Sequence, residues 1–356
     1  MTFPSSGIAV YAPTFTVRLK EQDAIIPEGD ISSVELVEYL ESPGKFTISF
    51  NDVLDMKKQK FRWLDDNRIQ PGNIIEISFS YASSSKKSTL VFLGRINSVT
   101  HDFDFSGKTA LSVTGFDLSH DLQESWSGNC VYNDKTYSEV VSSIASSNNL
   151  DSATVDDSEQ VYENISRLFD EDDYKFIKRL ADSIGFEFFV REKLYYFRKP
   201  EDENDAKIIF TNGINIVTFT PKVNSSTIVN EVKITSWDRY KKEVICQTAS
   251  LKDIENSVYI PQVLKGQQPV KKIRKFLNVL SAKEAKTRSI AELKRKNKKL
   301  FTGRLESIGN PSLRPGMTVK IEKVGNRFSG VYYVEEAKHI IKKEGYQTTL
   351  ELRRCK

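Results

Sequence analysis

The feature that most constrains this chain is that it carries one pattern twice. IQPGNIIEISF, VFLGRINSVTHDF and TALSVTG follow one another over residues 69–115, and LRPGMTVKIEK, RFSGVYYVEEAKHII and TTLELRR follow one another over 313–354. Each copy has a Pro-Gly turn (Pro71–Gly72, Pro315–Gly316) that launches a strand. Each then has aromatic-x-Gly (Phe92–Gly94, Phe328–Gly330) opening a second strand that reaches a histidine (His101, His339), and then a third alternating strand. The early copy differs by its longer first hairpin, YASSSKKSTL. Gly94 and Gly330 are expected where a strand bends and a side chain would clash. The pattern predicts two units of one design in one chain, so that an assembly of n chains presents 2n similar units.

From Phe15 to about Leu122 the segments FTVRL, KFTISF, NIIEISFSY, TLVFLGRINSV and TALSVTGFD alternate apolar and polar residues, with turn chemistry at Pro27–Gly29, Pro43–Gly44 and Pro71–Gly72. So many short antiparallel strands point to a barrel, which removes exposed edges. The period changes near Trp126. TYSEVVSSIASSNNL opens with a capping box, Thr136 and Glu139, and DEDDYKFIKRLADSIG puts Phe176, Ile177, Leu180, Ala181 and Ile184 on one helical face that Gly185 ends. FEFFVREKLYYFRKP reads as a hairpin, and the acidic 201–206 as a surface linker. Strands then return, and a Lys-rich helix opens at Ser281 with Glu284 three residues on. The expected fold is mainly β with an α+β element: a first antiparallel barrel over 1–125, a small α+β domain over 126–200, and a second, related barrel over 201–356 with a helical insertion at about 246–300.

Composition narrows the function. With 52 basic and 48 acidic side chains the formal charge is +4, which dictates no electrostatic partner. Three well-separated cysteines, Cys130, Cys246 and Cys355, argue against a disulfide framework or a thiolate metal site. The N-terminus lacks the form of a signal peptide, and no apolar run is long enough to span a bilayer.

The chain contains no G-x-S-x-G, H-E-x-x-H, G-x-G-x-x-G or P-loop pattern, so no catalytic, cofactor or metal residue is assigned and an enzyme is not expected. Asp170–Asp173 reads as helix capping, because successive carboxylates at a helix start diverge. His101 and His339, at matching places in the repeat, read as packing or hydrogen-bonding residues, and His120 has no ligand partner nearby in sequence. Lys283, Lys286, Lys294 and Lys298 are the candidate contacts to an acidic partner or a lumen. No aromatic residue interleaves with them to stack on a base, so specific nucleic-acid binding is not expected.

DDYKFIKRLADSIGFEFFVREKLYYF resembles the most characteristic segment of the phage late control gene D family, the baseplate hub proteins of contractile tails and tailocins. These are related to the hub region of type VI secretion spike proteins. AELKRKNKKLFTGRLESIGNPSLRPGMTVKIEKVGNRFSGVYYVEEAKHII is similar to the same family in its helix, its N-P-x-L-x-P-G turn, its F-S-G-x-Y-x-V run and its histidine. The resemblance implies a homotrimeric ring whose two barrels per chain adapt a hexameric tube, or its initiator, to a trimeric spike. Because the chain ends at ELRRCK, the spike is expected to be a separate polypeptide. Other baseplate proteins would be further partners, with assembly in the bacterial cytoplasm and the final place in a tail or injection particle. The competing readings are a tail-tip peptidoglycan hydrolase and a barrel-based nucleic-acid-binding protein.

Overall fold

The computed structural model describes residues 13–81, 89–103, 109–126, 130–202, 206–224, 228–254, 258–259 and 271–355. The protein is mainly β. The first β-unit comprises β1 (Pro13–Leu19), β2 (Ala24–Ile26), β3 (Ile31–Tyr39), β4 (Lys45–Asn51), β5 (Ile74–Tyr81), β6 (Thr89–Phe103) and β7 (Thr109–Asp117). The second comprises β11 (Ile208–Thr211), β12 (Thr218–Val223), β16 (Phe301–Ile308), β17 (Thr318–Glu322), β18 (Gly330–Lys342) and β19 (Gly345–Arg354). Between them lie α1 (Tyr137–Ser147), β8 (Asp151–Val155), α2 (Asp173–Ile184), β9 (Glu187–Arg191) and β10 (Leu194–Arg198). Inside the second unit sit β13 (Glu231–Asp238), β14 (Glu243–Ser250), β15 (Lys272–Phe276) and α3 (Ala282–Asn297).

The duplication runs deeper than the three strands visible in sequence. Spatial order in the first unit is β1-β5-β6-β7-β4-β3, and in the second β11-β17-β18-β19-β16-β12, which is the same order of six strands in the same chain order. The copies differ in their first strand: β1 runs antiparallel to β5, whereas β11 runs parallel to β17.

Backbone register matches residue for residue. Gly72 N–H donates to Ile96 O at 2.8 Å and Gly316 N–H to Val334 O at 2.9 Å, while Ile96 and Val334 donate back to Asn73 and Met317. A bulge follows each partner, between Ile96 and Ser98 and between Val334 and Glu336. Ile96 is therefore the counterpart of Val334, and five residues on His101 is the counterpart of His339.

The same register corrects the glycine match. Gly330 lies four residues before Val334 and Gly94 only two before Ile96, so the counterpart of Gly94 is Tyr332. Aromatic-x-Gly is a local likeness, whereas register is set by the Pro-Gly turn and the bulge. Gly94 is required for its own reason, since a Cβ there would lie 2.6 Å from Phe116 O.

The two units are fused. β3 pairs antiparallel with β18 over Ser33–Tyr39 and Glu336–Lys342, so that one thirteen-stranded sheet runs through both. The β18–β19 hairpin serves two cores. Tyr332, Val334 and Ala337 pack with Leu305, Val319 and Leu350 in the second unit, while Ile341 and Tyr346 pack with Val34, Phe46 and Phe79 in the first.

The insertion starts earlier than residue 246. Residues 231–250 do not extend the second unit's sheet but form a separate one, β14-β13-β15. Val232, Ile234 and Ile245 on its inner face bury against Ala285 and Leu293 of α3, giving a core that spans 228–300. The middle unit forms as its stripe dictates. Asp172 caps α2 by accepting from Lys175 N, Phe176, Ile177, Leu180 and Ala181 are buried, and Gly185 ends the helix at φ +76°. Thr136 and Glu139 complete a reciprocal capping box on α1.

Candidate interaction surfaces

Of the two repeat-defining turns, only Pro315–Gly316 lies where the units meet. In the turn before β17, Arg314 makes a two-pronged ion pair with Glu38 of β3, at 2.6 Å for the closest contact, and donates to Val91 O at 2.7 Å. Pro315 O accepts from Arg191, and Gly316 O accepts from Arg198 at 2.9 Å. Gly316 has φ +80°, and a Cβ there would approach Arg198 Nη2 at 3.1 Å. The turn is thereby clamped to both the first unit and the middle one. Its counterpart, Pro71–Gly72, has φ +100° at Gly72 and open space around it, with Gly72 O accepting from Arg95 at 2.7 Å.

The two histidines occupy one position and meet different surroundings. His339 is fully buried. Nε2–H donates to Leu313 O at 2.9 Å, and Nδ1 accepts from Tyr346 OH at 2.9 Å with Thr348 Oγ1 at 3.1 Å, which pins the 310–316 turn to the sheet. Burial holds its pKa down at about 4, so the ring is neutral. The His101 side chain is also buried, beside Phe61 and Phe103, with Nε2 3.5 Å from the Asp52 carboxylate and neither ring nitrogen in a hydrogen bond. Each ring lies against the connection between the third and fourth strands of its copy in chain order, β4 to β5 for His101 and β16 to β17 for His339. His120 stacks on Phe116 at 4.5 Å.

The acidic stretch at the start of α2 is divided among separate tasks. Asp172 is the cap, and Glu171 pairs with Arg179 at 2.5 Å. Asp173 is fully buried, 2.6 Å from Arg167, and accepts from Ser125 Oγ and Asn148 Nδ2. No group of three or more His, Cys, Asp or Glu among the described residues could hold a metal ion.

Lysines of α3 and its C-cap, Lys298, reach into the middle and first units. Lys283 pairs with Glu159 of the middle unit at 3.0 Å, Lys286 with Asp253 at 2.8 Å within the insertion, and Lys298 with Glu41 of the first unit. Lys294 lines a cleft of about 260 Å³ among the units, shared with Glu41, Asp182, Glu187, Glu335 and Arg353. Burial pushes the Glu335 and Glu187 carboxyls up, opposed mainly by Arg353 at the first and Arg198 at the second. Asp202, from the segment expected to be a surface linker, is buried there 3.0 Å from Arg353. The cleft is a meeting point of mutually paired charges. Sequence reasoning missed these pairs, because their partners lie up to 257 residues apart and carry no local pattern.

This architecture, two β-units with a common six-strand order fused beside an α+β unit, is shared with solved phage tail proteins. Over 96% of this chain and 98% of the other it superposes on the 43 kDa tail protein of prophage MuSo2 from Shewanella oneidensis, with a TM-score of 0.75 and 13% identity. A tail protein of Neisseria meningitidis MC58 matches over 97% of each chain with a TM-score of 0.72 and 12% identity. The Escherichia coli c3393 protein, described as a type VI secretion component with structural similarity to T4 tail proteins gp27 and gp5, matches over 91% of this chain and 73% of its own, with a TM-score of 0.58 and 12% identity. The chain belongs to the Alg8 N-terminal domain family, whose sequence pattern matches residues 13–343. The family matched is thus not the late control gene D family of the sequence resemblance. No protein with a curated description matches the chain in sequence.

Proposed function

We propose that this protein is a structural component of a contractile tail or injection system, acting as its baseplate hub. Three copies form a ring whose six β-units receive a hexameric tube or its initiator on one face and a separate trimeric spike on the other, among further baseplate proteins. The mechanism is geometric, and no catalytic step is part of it. The observation that carries this reading is the duplication itself, which repeats a six-strand order, a turn hydrogen bond and a bulge within one chain. Two such units per chain turn a threefold assembly into a surface with six similar positions. The resemblance to the late control gene D family and the fold shared with tail proteins support the same role. Assembly in the bacterial cytoplasm and residence in the finished particle follow from it.

Light scattering of the purified protein, alone and with the candidate spike protein, tests the reading. A mass of three chains, and a complex with three spike chains, is the expected result. A single-chain mass at every concentration and with spike present would count against it. Clearing of cell-wall material in a zymogram would replace the structural role with a hydrolase.

A further inference from the structure

The two β-units differ at one edge. Beyond its bulge, β18 carries β3 on the side opposite β19. Beyond its own bulge, β6 carries β7 on one side, while its ladder with β5 ends at Arg95. β12, the counterpart of β3, pairs with β16 and with no second strand among the described residues. We propose that β12 of a second copy of this chain adds antiparallel to the edge of β6 beyond its bulge, which carries no strand among the described residues. This rests on the trimer reading and names the strands that join its subunits.

The joint within the chain supplies the register. Ile96 matches Val334, Phe46 matches Gly303 and Leu36 matches Pro221, through the ladders that link these strands. In the fused joint Ala337 faces Glu38, His339 faces Leu36 and Ile341 faces Val34. Carried to the other edge, Val99 faces Val223, His101 faces Pro221 and Phe103 faces Phe219, each pair spanning two copies.

Three observations fit that placement. Phe103 is 68% exposed, whereas its counterpart Ile341, covered by β3, is 3% exposed. The His101 side chain is only 2% exposed although the residue as a whole is half-buried, so what it shows to solvent is backbone, as an edge strand does. The third is parity. Leu40 N–H donates to Glu335 O, so Leu36 aims its backbone at the joint. Asn224 N–H donates inward to Leu300 O, so Pro221, the counterpart of Leu36, aims outward in the same way. A proline there spares the ladder with β16 and removes one donor from the edge, which discourages indiscriminate pairing. On the solvent side Asp102 and Lys222, both exposed, bring opposite charges to the two edges.

Because Val99, His101 and Phe103 exchange the backbone bonds in this register, Thr100 and Lys222 form a non-hydrogen-bonded pair, whose short spacing suits a disulfide. The test is oxidation of Thr100→Cys with Lys222→Cys in a background of Cys130→Ser and Cys246→Ser, since those two native thiols are exposed. A covalent trimer on non-reducing gels is expected, and Thr100→Cys with Thr218→Cys should yield far less. Light scattering of the same samples separates the two ideas. A three-chain mass without in-register cross-linking overturns the joint and leaves the trimer standing; a single-chain mass throughout, with spike present, overturns both. Phe103→Asp, at an exposed site, should raise the concentration for half-assembly by roughly tenfold or more with Tm unchanged. Unaltered assembly of that variant would also overturn the joint.

Discussion

The edges of β18 and β6 follow one plan, but only the first is closed within the chain. Where β3 meets β18, Glu38 is buried against Arg314 and Lys338 pairs with Glu35 at 2.7 Å. At the counterpart positions on β6, on β12 and in the turn before β5 stand Val223, Gln70, Thr100 and Thr220, none of which carries a charge. One design therefore yields a permanent seam, locked by ion pairs, and an edge without those locks. The largest test of this contrast is Glu38→Ala. It strands the buried Arg314 guanidinium and should cost about 3–5 kcal/mol in urea denaturation. Val223→Ala, at the matching site, should cost a fraction of that. Equal losses would mean that the ion pair does not hold the seam.

A second contrast concerns protons. Asp117 pairs with Gly94, and at the matching place Tyr332 pairs with Arg354. Burial raises the Asp117 carboxyl to about 7 against hydrogen bonds from Ser119 and Gly44, so the folded protein holds a proton there that the unfolded chain releases near ~4. That makes stability fall as pH rises from about 4 to 7. His339 acts in the opposite sense. With its folded pKa at about 4 and an unfolded value near ~6.5, the unfolded chain takes up a proton first, and stability falls as pH drops through that window. These contributions are on the order of 4 kcal/mol for Asp117 and 3 kcal/mol for His339. Relative to the parent, Asp117→Asn should gain stability as pH rises from 4 to 7, and His339→Gln should gain as pH falls from 6.5 to 4. Parallel pH curves for parent and variants would refute the linkage.

The histidines sharpen the comparison further. His339→Phe removes the partner of Leu313 O and Tyr346 OH in a sealed site and should cost about 2 kcal/mol. His101→Phe gives up no hydrogen bond, lies among Phe61 and Phe103, and should be neutral or slightly stabilising by thermal denaturation. Equal destabilisation would show that the Asp52 contact at 3.5 Å does the work of a hydrogen bond.

The repeat was legible where its marks were short-range. A Pro-Gly turn, two alternating strands and a histidine lie within about thirty residues in each copy, and the apolar stripe and caps of α2 were equally local. The other three strands of the copies escaped notice because 228–300 separates β12 from β16, and because equivalent sites differ as much as Phe46 from Gly303 or Leu36 from Pro221. Residues 231–250 alternate as any strand does, and alternation does not say which sheet a strand joins. The charges that seal the units, Arg314, Asp173, Arg353 and Asp202, had no signature for the opposite reason: each was polar in a stretch read as turn, cap, strand or linker, and only tertiary contact buries it.

The smallest expected effect concerns the lysines of α3, which sequence offered as free contacts. Lys298 pairs with Glu41 beside the shared cleft and is mostly buried, whereas Lys283 and Glu159 are both well exposed, so solvent and salt screen that pair. Lys283→Ala should leave the denaturation midpoint unchanged, and added salt should not separate it from the parent. Lys298→Ala should lower the midpoint measurably. Were Lys283→Ala also to leave assembly with spike or tube protein intact, the outer face of α3 would be a solvated surface and the helix would act through its inner contacts. Loss of assembly at unchanged stability would instead make Lys283 a partner contact, and Glu159 only its resting place.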